Sequence, residues 1–153
     1  MIAPGSNKRG LRVMISLLMN ILWVVLFGFT GALAWFMAAI LMVVSVVGIP
    51  WARAAFNMGL FVLWPFGQMA VDRRVLTGRE DLGTSPLGFL GNVIWFLFAG
   101  WWLALYHVFA GVFWFVTIIG IPFGIQHFKF AMLALAPIGK AIVPVETMGM
   151  PRY

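Results

Sequence analysis

The chain carries the same 54-residue segment twice, at an offset of 72 residues, and this repetition constrains its fold more than any other feature. Aligned without a gap, residues 18–71 and 90–143 are identical at sixteen positions. A repeat at a fixed spacing predicts a fold of two like units that pack against each other. It also predicts that any functional site is built from two pseudo-equivalent halves.

Both copies are too apolar for a protein that is surrounded by water. No charged side chain occurs between residues 13 and 52, and none occurs between residues 82 and 128 if the histidines are neutral. Uncharged apolar stretches longer than about 18 residues are typical of membrane spans. The sequence therefore predicts an integral membrane protein, in preference to a soluble protein with two fully buried helices.

The repeat divides the chain into five segments. We predict a basic N-terminus that leads into the first span, a first repeat, a cytoplasmic linker, a second repeat and a tail, at residues 1–17, 18–71, 72–86, 87–143 and 144–153. The linker is the only long polar stretch, and its charged residues and its Gly and Pro residues indicate a solvated connection.

Each copy opens with a long apolar run, at residues 13–49 and 87–121. As one helix, such a run would be about 50 Å long, against a hydrocarbon core of about 30 Å. We therefore interpret each run as a tight hairpin of two short spans, with breaks at Gly28 and Gly100. In the alternative, each run is one tilted helix, and the segment that follows it forms the second span.

A Gly-Ile-Pro motif ends each run, with Gly48 and Pro50 in one copy and Gly120 and Pro122 in the other. Proline removes an amide donor and restricts the residue before it, which predicts a turn. The shorter, more polar segment that follows is expected to be an amphipathic helix lying in the interface. A Pro-x-Gly turn closes each copy, at Pro65 and Gly67 and at Pro137 and Gly139.

The fold class is thus all-α integral membrane, with two tandem repeats that each comprise a short transmembrane hairpin and an interfacial helix. The basic residues lie at the ends of the apolar runs, which the positive-inside rule explains better than nucleic-acid binding does. This rule predicts that both termini are cytoplasmic. The hairpin interpretation places the following basic residues on that face: Lys8, Arg9, Arg12, Arg53, Arg73, Arg74, Arg79, Lys129, Lys140 and Arg152. An even number of crossings per copy predicts parallel copies, related by an axis along the membrane normal.

The side-chain chemistry does not favour an enzyme. The chain has two histidines and four acidic residues, and it has no cysteine. All the acidic residues lie in the linker or the tail, and no catalytic, phosphate-binding or metal-binding motif is present. We therefore expect no catalytic residues, no cofactor and no metal.

The polar residues within and beside the apolar runs are the candidate contact residues. Asn20 and Asn92 occupy equivalent positions and are expected to form interhelical hydrogen bonds, with pore lining as the alternative. His107 is expected to be a neutral residue at the interface. Four residues on the predicted interfacial helices are expected to contact lipid headgroups or to surround a pore mouth that favours anions: Arg53, Gln126, His127 and Lys129.

Several motifs together resemble a known family. They are Asn-Ile-Leu-Trp at 20–23, Asn-Val-Ile-Trp at 92–95, the paired Gly-Ile-Pro motifs, Gly-Trp-Trp-Leu at 100–103, Pro-Ile-Gly-Lys at 137–140 and Val-Glu-Thr at 145–147. In order and spacing they resemble the YccF family of bacterial inner-membrane proteins. The resemblance implies a small, duplicated, multi-pass protein of the inner membrane, and it brings no catalytic or binding residues with it.

Two functions remain open from the sequence. Four short spans enclose no channel by themselves, so we expect a homo-oligomer in contact with membrane lipids. The first hypothesis is a channel-like or transport-related oligomer with a basic cytoplasmic mouth. The alternative is a non-conducting structural or accessory protein that binds a partner membrane protein or lipid. Nucleic acid is not an expected partner.

Overall fold

The computed structural model describes residues 6–148, with side chains described from Arg9 onwards. The side chains of Lys8 and Arg152, which the sequence assigns to the cytoplasmic face, lie outside the described residues. So does the end of the predicted tail.

The first copy consists of one long helix, one shorter helix and one strand. The long helix comprises α1, a π-helical segment and α2, which follow one another without a break. The bounds are Ser6–Trp23 for α1, Val24–Gly28 for the π-helical segment, Phe29–Val44 for α2, Ile49–Leu63 for α3 and Gln68–Asp72 for β1.

The second copy repeats this order after a linker that contains the short helix α4, Arg73–Thr77. Its bounds are Pro86–Trp95 for α5, Phe96–Gly100 for a second π-helical segment, Trp101–Phe115 for α6, Ile118–Gly120 for a 3₁₀ turn, Ile121–Leu135 for α7, Lys140–Pro144 for β2 and Val145–Met148 for a closing 3₁₀ turn. The all-α class and the duplication are therefore confirmed, with a small strand pair that the pattern does not predict.

The prediction of a hairpin within each long run is wrong. Gly28 and Gly100 keep right-handed helical backbone angles, with φ of −56° and −58°. Each lies at the end of a π-helical segment, in which the helix widens by one residue instead of breaking. Both long runs are therefore single helices, as in the alternative interpretation.

Glycine at these positions accommodates an indole ring instead of a turn. A Cβ built on Gly28 would lie 2.6 Å from Nε1 of Trp23. The Trp23 indole packs here and donates a hydrogen bond to the Val62 carbonyl oxygen over 2.6 Å. In the second copy, Trp95 donates equivalently to the Ala134 carbonyl oxygen over 2.7 Å. Each glycine thus allows the long helix to be joined to the short helix beside it.

The hairpin of each copy is formed by the second half of the long helix and the short helix that follows. In the first copy, Gly59 of α3 lies against the Phe36 ring of α2, and Val62 lies against Gly31. α6 and α7 pack in the same way. The short helices bury their inner faces in the core, against the long helices. That they lie in the membrane interface stays a prediction.

The Gly-Ile-Pro motif forms the turn of this hairpin. Pro50 and Pro122 lie in the first turn of α3 and α7, where a missing amide hydrogen costs no helical hydrogen bond. The hydroxyl of Ser45 accepts a hydrogen bond from the Gly48 amide over 3.1 Å, and Thr117 accepts one from Gly120 over the same distance. The motif thus lies at a turn in each copy, and this turn joins two antiparallel helices.

The two strands join the copies. β1 and β2 pair antiparallel, with Ala70 opposite Ile142 and Asp72 opposite Lys140. Ile142 is the repeat equivalent of Ala70, so the ladder is symmetrical about this central pair. A pseudo-twofold axis therefore passes between the two residues. That this axis runs along the membrane normal stays a prediction.

The core between the copies is filled by aromatic side chains. Trp23, Trp35 and Trp95 are at most 1% exposed, and the rings of Trp35 and Trp95 stack with centroids 5.4 Å apart. Phe123 and Phe130 of α7 complete this cluster. The outward faces of the long helices are apolar and exposed, as expected for contact with lipid.

Three described helices are long and apolar enough to cross a membrane, at Arg9–Val44, Pro86–Phe115 and Ile118–Leu135. The α3 helix is also apolar but shorter. This pattern fits an all-α membrane protein.

Candidate functional site

Two surface grooves lie at the places where one copy meets the other. The first groove has a volume of about 940 Å³. It lies between α1, the first half of α7 and the turn that precedes β1. Apolar side chains such as Met19, Phe66 and Ile125 line it, together with the cationic residues Arg12 and Lys129.

The second groove has a volume of about 370 Å³ and is more polar. It lies between the first half of α3, the linker and the turn that precedes β2. Its charged lining residues are Arg53, Arg73, Lys140 and Asp81. Trp51 lines it as well.

The two grooves are equivalent under the repeat. Pro50, Arg53 and Asn57 of the second groove correspond to Pro122, Ile125 and Lys129 of the first groove. Each groove combines the short helix of one copy with the turn and strand of the other copy. The duplication thus builds the same cavity twice but lines it with different side chains.

Three of the four predicted headgroup or pore residues lie in these grooves. Arg53 and Lys129 are exposed, and Gln126 is half-buried. His127 does not join them, because it points to the opposite side of α7 and is 0% exposed. Within one subunit, the assignment of His127 to a headgroup or a pore mouth is therefore wrong.

Asn20 and Asn92 form hydrogen bonds with the backbone of turns and not with a neighbouring helix. Asn20 Nδ2 donates to the Phe66 carbonyl oxygen and its Oδ1 accepts from the Phe66 amide, both over 2.9 Å. Asn92 makes the same pair of hydrogen bonds with Ile138, over 3.1 and 3.0 Å. Phe66 and Ile138 lie in the Pro-x-Gly turns, so the amides do not form the expected helix–helix contacts.

Gly67 and Gly139 complete these turns. Their φ angles are +94° and +91°, in a region that side chains with a Cβ rarely adopt. Pro65 and Pro137, which precede them, are fully buried. The buried amides and these turns together fix the entry into each strand, and hence one wall of each groove.

Two histidines form a buried polar chain at the pseudo-twofold axis. Trp35 Nε1 donates to His107 Nε2 over 3.2 Å, and His107 Nδ1 lies 3.1 Å from His127 Nδ1. Both histidines are 0% exposed, so the expectation of an interfacial His107 is wrong. His127 also packs edge-on against Phe27, with ring centroids 4.0 Å apart.

The hydrogen bonds assign the tautomers of this chain. Indole nitrogen only donates, so His107 Nε2 must be the unprotonated acceptor. A neutral His107 then carries its proton on Nδ1 and donates it to His127 Nδ1. A neutral His127 carries its proton on Nε2, which is buried and has no partner among the described residues. Because Trp35 cannot accept a proton, the chain ends there and is not a route for protons across the protein.

Ion pairs organise the cations beside the second groove. Arg73 Nη2 contacts an Asp81 carboxylate oxygen over 2.8 Å, and Lys140 Nζ lies 3.9 Å from Asp72. A hydrogen bond from the Arg74 backbone amide, with help from the Arg74 side chain, holds the pKa of Asp72 below its ordinary value. The described ion pairs do not include Arg53.

The described residues hold no group of three or more histidine and acidic side chains that could bind a metal ion. The arrangement instead offers cationic and hydrogen-bonding groups beside apolar walls.

Comparison with known proteins places the chain in a family. The sequence model of the YccF domain, described as an inner membrane component domain, matches residues 18–68 and 90–140. The chain belongs to the YccF family. It is 38% identical over 131 residues to the inner membrane protein YccF of Escherichia coli K12, an alignment that covers 84% of this chain and 88% of the relative. The Shigella flexneri protein of the same name matches to the same extent.

The comparisons support the inner membrane as the location of this YccF protein. No solved structure matches the chain significantly. The names of the relatives state where they reside and give no activity.

The series of hydrogen bonds that joins Trp35, His107 and His127 is the feature of this YccF protein that the sequence pattern least predicts. The two histidines are 20 residues apart and lie on different helices. One signal was present, because Trp35 and His107 occupy equivalent positions of the repeat. Equivalent residues that contact each other must lie beside the pseudo-twofold axis.

Proposed function

We propose that this YccF protein is a lipid-binding accessory protein of the inner membrane, which holds anionic phospholipids in its two grooves. The observation that carries the proposal is the combination, in each groove, of an apolar wall with cationic side chains. An anionic phospholipid needs both features, because its acyl chains require apolar contact and its phosphate requires positive charge.

The charge balance of the lining supports an anionic ligand. Among the described residues, the first groove is lined by Arg12 and Lys129 and by no acidic side chain. The described lining of the second groove has three cationic residues and one acidic residue, Asp81. Basic residues near a membrane surface attract anionic headgroups by about 1 kcal/mol each.

The position of the grooves supports the same proposal. Each is bordered by helices whose outward faces are exposed and apolar, so a lipid could enter from the bilayer without crossing water. On the basis of the positive-inside rule, we infer that both grooves open toward the cytoplasmic leaflet, with the linker and both termini on that side. Reporter fusions at Arg79 and Tyr153 test this orientation, and a periplasmic signal at either would contradict it.

The channel-like homo-oligomer stays a separate prediction. Within one subunit, the aromatic cluster around Trp23, Trp35 and Trp95 occupies the space between the copies. A conducting path would therefore have to form between subunits. Conductance of reconstituted liposomes above the empty-liposome background, with an ion preference that Lys129→Glu shifts toward cations, would favour the channel over the accessory protein.

Titration with phosphatidylglycerol tests lipid binding directly. The full chain is purified in neutral detergent, and bound lipid is counted by native mass spectrometry. Removing both charges of the first groove in the double variant Arg12→Gln, Lys129→Gln should weaken binding there by roughly 30-fold, at about 1 kcal/mol per charge. Added salt should weaken binding of the natural chain as well.

Arg79→Gln provides the matched control. Arg79 is an exposed linker residue that lines neither groove, so its replacement removes one charge without touching the proposed site. Its phosphatidylglycerol affinity should stay within about twofold of that of the natural chain. Equal losses for the control and the groove variants would mean that net charge alone attracts the lipid, and the groove proposal would be rejected.

A further inference from the structure

Two residues that line the second groove carry buried hydrogen-bond donors without an acceptor among the described residues. Trp51 and Arg73 both line this groove. The indole Nε1 of Trp51 and the guanidinium Nε of Arg73 are shielded from solvent, and neither has a partner among the described residues. Trp51 as a whole is only 9% exposed. Buried donors are nearly always paired, so two unpaired donors on residues of one groove point to an acceptor that the described residues do not supply.

The charges around these donors indicate that the acceptor is an anion. Arg73 uses its Nη2 to contact Asp81, which leaves its Nε–H unused. Arg53 adds an exposed guanidinium to the same groove, and Lys140 adds an ammonium group. With three cations and one carboxylate, the lining retains net positive charge.

We propose that the second groove binds one phosphate group, in the form of a phosphodiester or a phosphomonoester. The N–H groups of Trp51 and Arg73 would donate to phosphate oxygens, and Arg53 would supply a further charge. Phosphate suits this set because it offers several acceptor oxygens and pairs well with guanidinium groups. The inference rests on the proposed lipid binding and assigns the headgroup chemistry to one of the two grooves.

The first groove lacks these hydrogen-bond donors at the equivalent positions of the repeat. Trp51, Arg53 and Arg73 correspond there to Phe123, Ile125 and Val145. None of these three side chains can donate a hydrogen bond. The larger first groove thus combines apolar walls with Arg12 and Lys129, whereas the second groove has additional donors on Trp51, Arg53 and Arg73. The two copies have specialised within a shared architecture.

Replacing Trp51 by Phe tests the site with a residue that the equivalent position already carries. The variant removes the indole N–H while keeping an aromatic ring. Native mass spectrometry of the full chain with phosphatidylglycerol should show a loss of affinity at the second groove of about tenfold, as for a hydrogen bond to a charged group. Arg53→Gln, an exposed change that leaves the core intact, should also weaken binding.

Trp102→Phe is the matched control, because Trp102 is 61% exposed and lines neither groove. Its affinity should equal that of the natural chain. Thermal unfolding of each variant confirms that the fold is intact. If Trp51→Phe destabilises the fold, Arg53→Gln decides the question alone.

A second arm uses inorganic phosphate, whose binding is followed by the broadening of its ³¹P resonance in the presence of the protein. Broadening that Trp51→Phe abolishes would support a site for the phosphate group itself. Binding of phosphatidylglycerol alone, with the same dependence on Trp51, would support a site that requires the lipid.

Two results would overturn the inference in distinguishable ways. If Trp51→Phe and Arg53→Gln bind phosphatidylglycerol as well as the natural chain does, but the first-groove variant does not, the phosphate site is wrong and the lipid-binding function stands. If no groove variant changes binding, both proposals fail.

Discussion

Replacing Asn20 by Leu tests how the two-copy fold is held together. The amide is 1% exposed and makes two hydrogen bonds with the backbone of Phe66. Leucine has the same number and branching of side-chain heavy atoms, so the change removes the hydrogen bonds without opening a cavity. It leaves a backbone amide and a carbonyl without partners, at about 1–2 kcal/mol each, and we expect a loss of about 2–4 kcal/mol in the free energy of unfolding.

The equivalent residue gives a graded comparison. Asn92 makes the same two hydrogen bonds with Ile138 but is half-buried, so water can partly replace them. Asn92→Leu should therefore lower the free energy of unfolding by less, about 1–2 kcal/mol. Asn57→Leu is the control, because this exposed residue of α3 makes no described hydrogen bond, and its effect should be below about 0.5 kcal/mol.

Reversible unfolding in mixed detergent micelles, followed by tryptophan fluorescence, measures these differences. If Asn20→Leu is no more destabilising than Asn57→Leu, the amide does not hold the turn, and the strand geometry must be maintained by other contacts. A larger loss for Asn92 than for Asn20 would likewise refute the argument from burial.

Three further predictions concern packing and titration. Gly28→Ala should destabilise the protein by about 1–3 kcal/mol because its Cβ would collide with an indole, whereas Gly10→Ala, which has no atom within 4 Å, should be neutral or slightly stabilising; thermal unfolding compares the two. Trp35→Phe should lower the free energy of unfolding by about 1–3 kcal/mol, because it leaves His107 Nε2 without a donor. If His107→Ala causes a similar loss and the double variant loses little more, the two residues share one hydrogen bond. Asp72 has a pKa of 3.8 in the unfolded chain and a lower pKa in the folded protein. As the pH falls from the first value through the second, the linker should lose hydrogen-exchange protection, and Asp72→Asn should abolish this pH dependence.

Much of the architecture follows from three sequence signals. The repeat predicts two like units, and the absence of charge predicts a membrane protein. Gly48-Ile49-Pro50 predicts a turn, because proline fits the first turn of a helix but not its interior. These signals are local or periodic, so a single sequence is enough to read them.

The path of the long helices could not be predicted in this way. Glycine at position 28 serves equally well as a helix break or as a contact point for a large ring. Which role applies depends on Trp23 and on the Val62 carbonyl, which is 39 residues further along the chain. The strands present the same difficulty, because β1 pairs with a partner beyond the entire second helical hairpin.

The sequence likewise predicts some residues of the candidate site and misplaces others. Arg53 and Lys129 are recognisable as charged residues on otherwise apolar segments, and both line a groove. His127 is also polar, but its position one residue after Gln126 turns it by about 100° around α7 and into the core. Composition cannot distinguish these cases, because the direction of a side chain depends on which face of the helix is covered.

The contact between Trp35 and His107 has a consequence for the origin of asymmetry in this protein. Two identical subunits that meet at a twofold axis present the same group to itself, and an indole facing an indole offers two donors and no acceptor. Such a symmetrical dimer could not form this hydrogen bond at its centre. When both units are joined in a single polypeptide, the two equivalent positions can carry different residues. Here one became the donor, and the other became an acceptor that in turn reaches a second histidine.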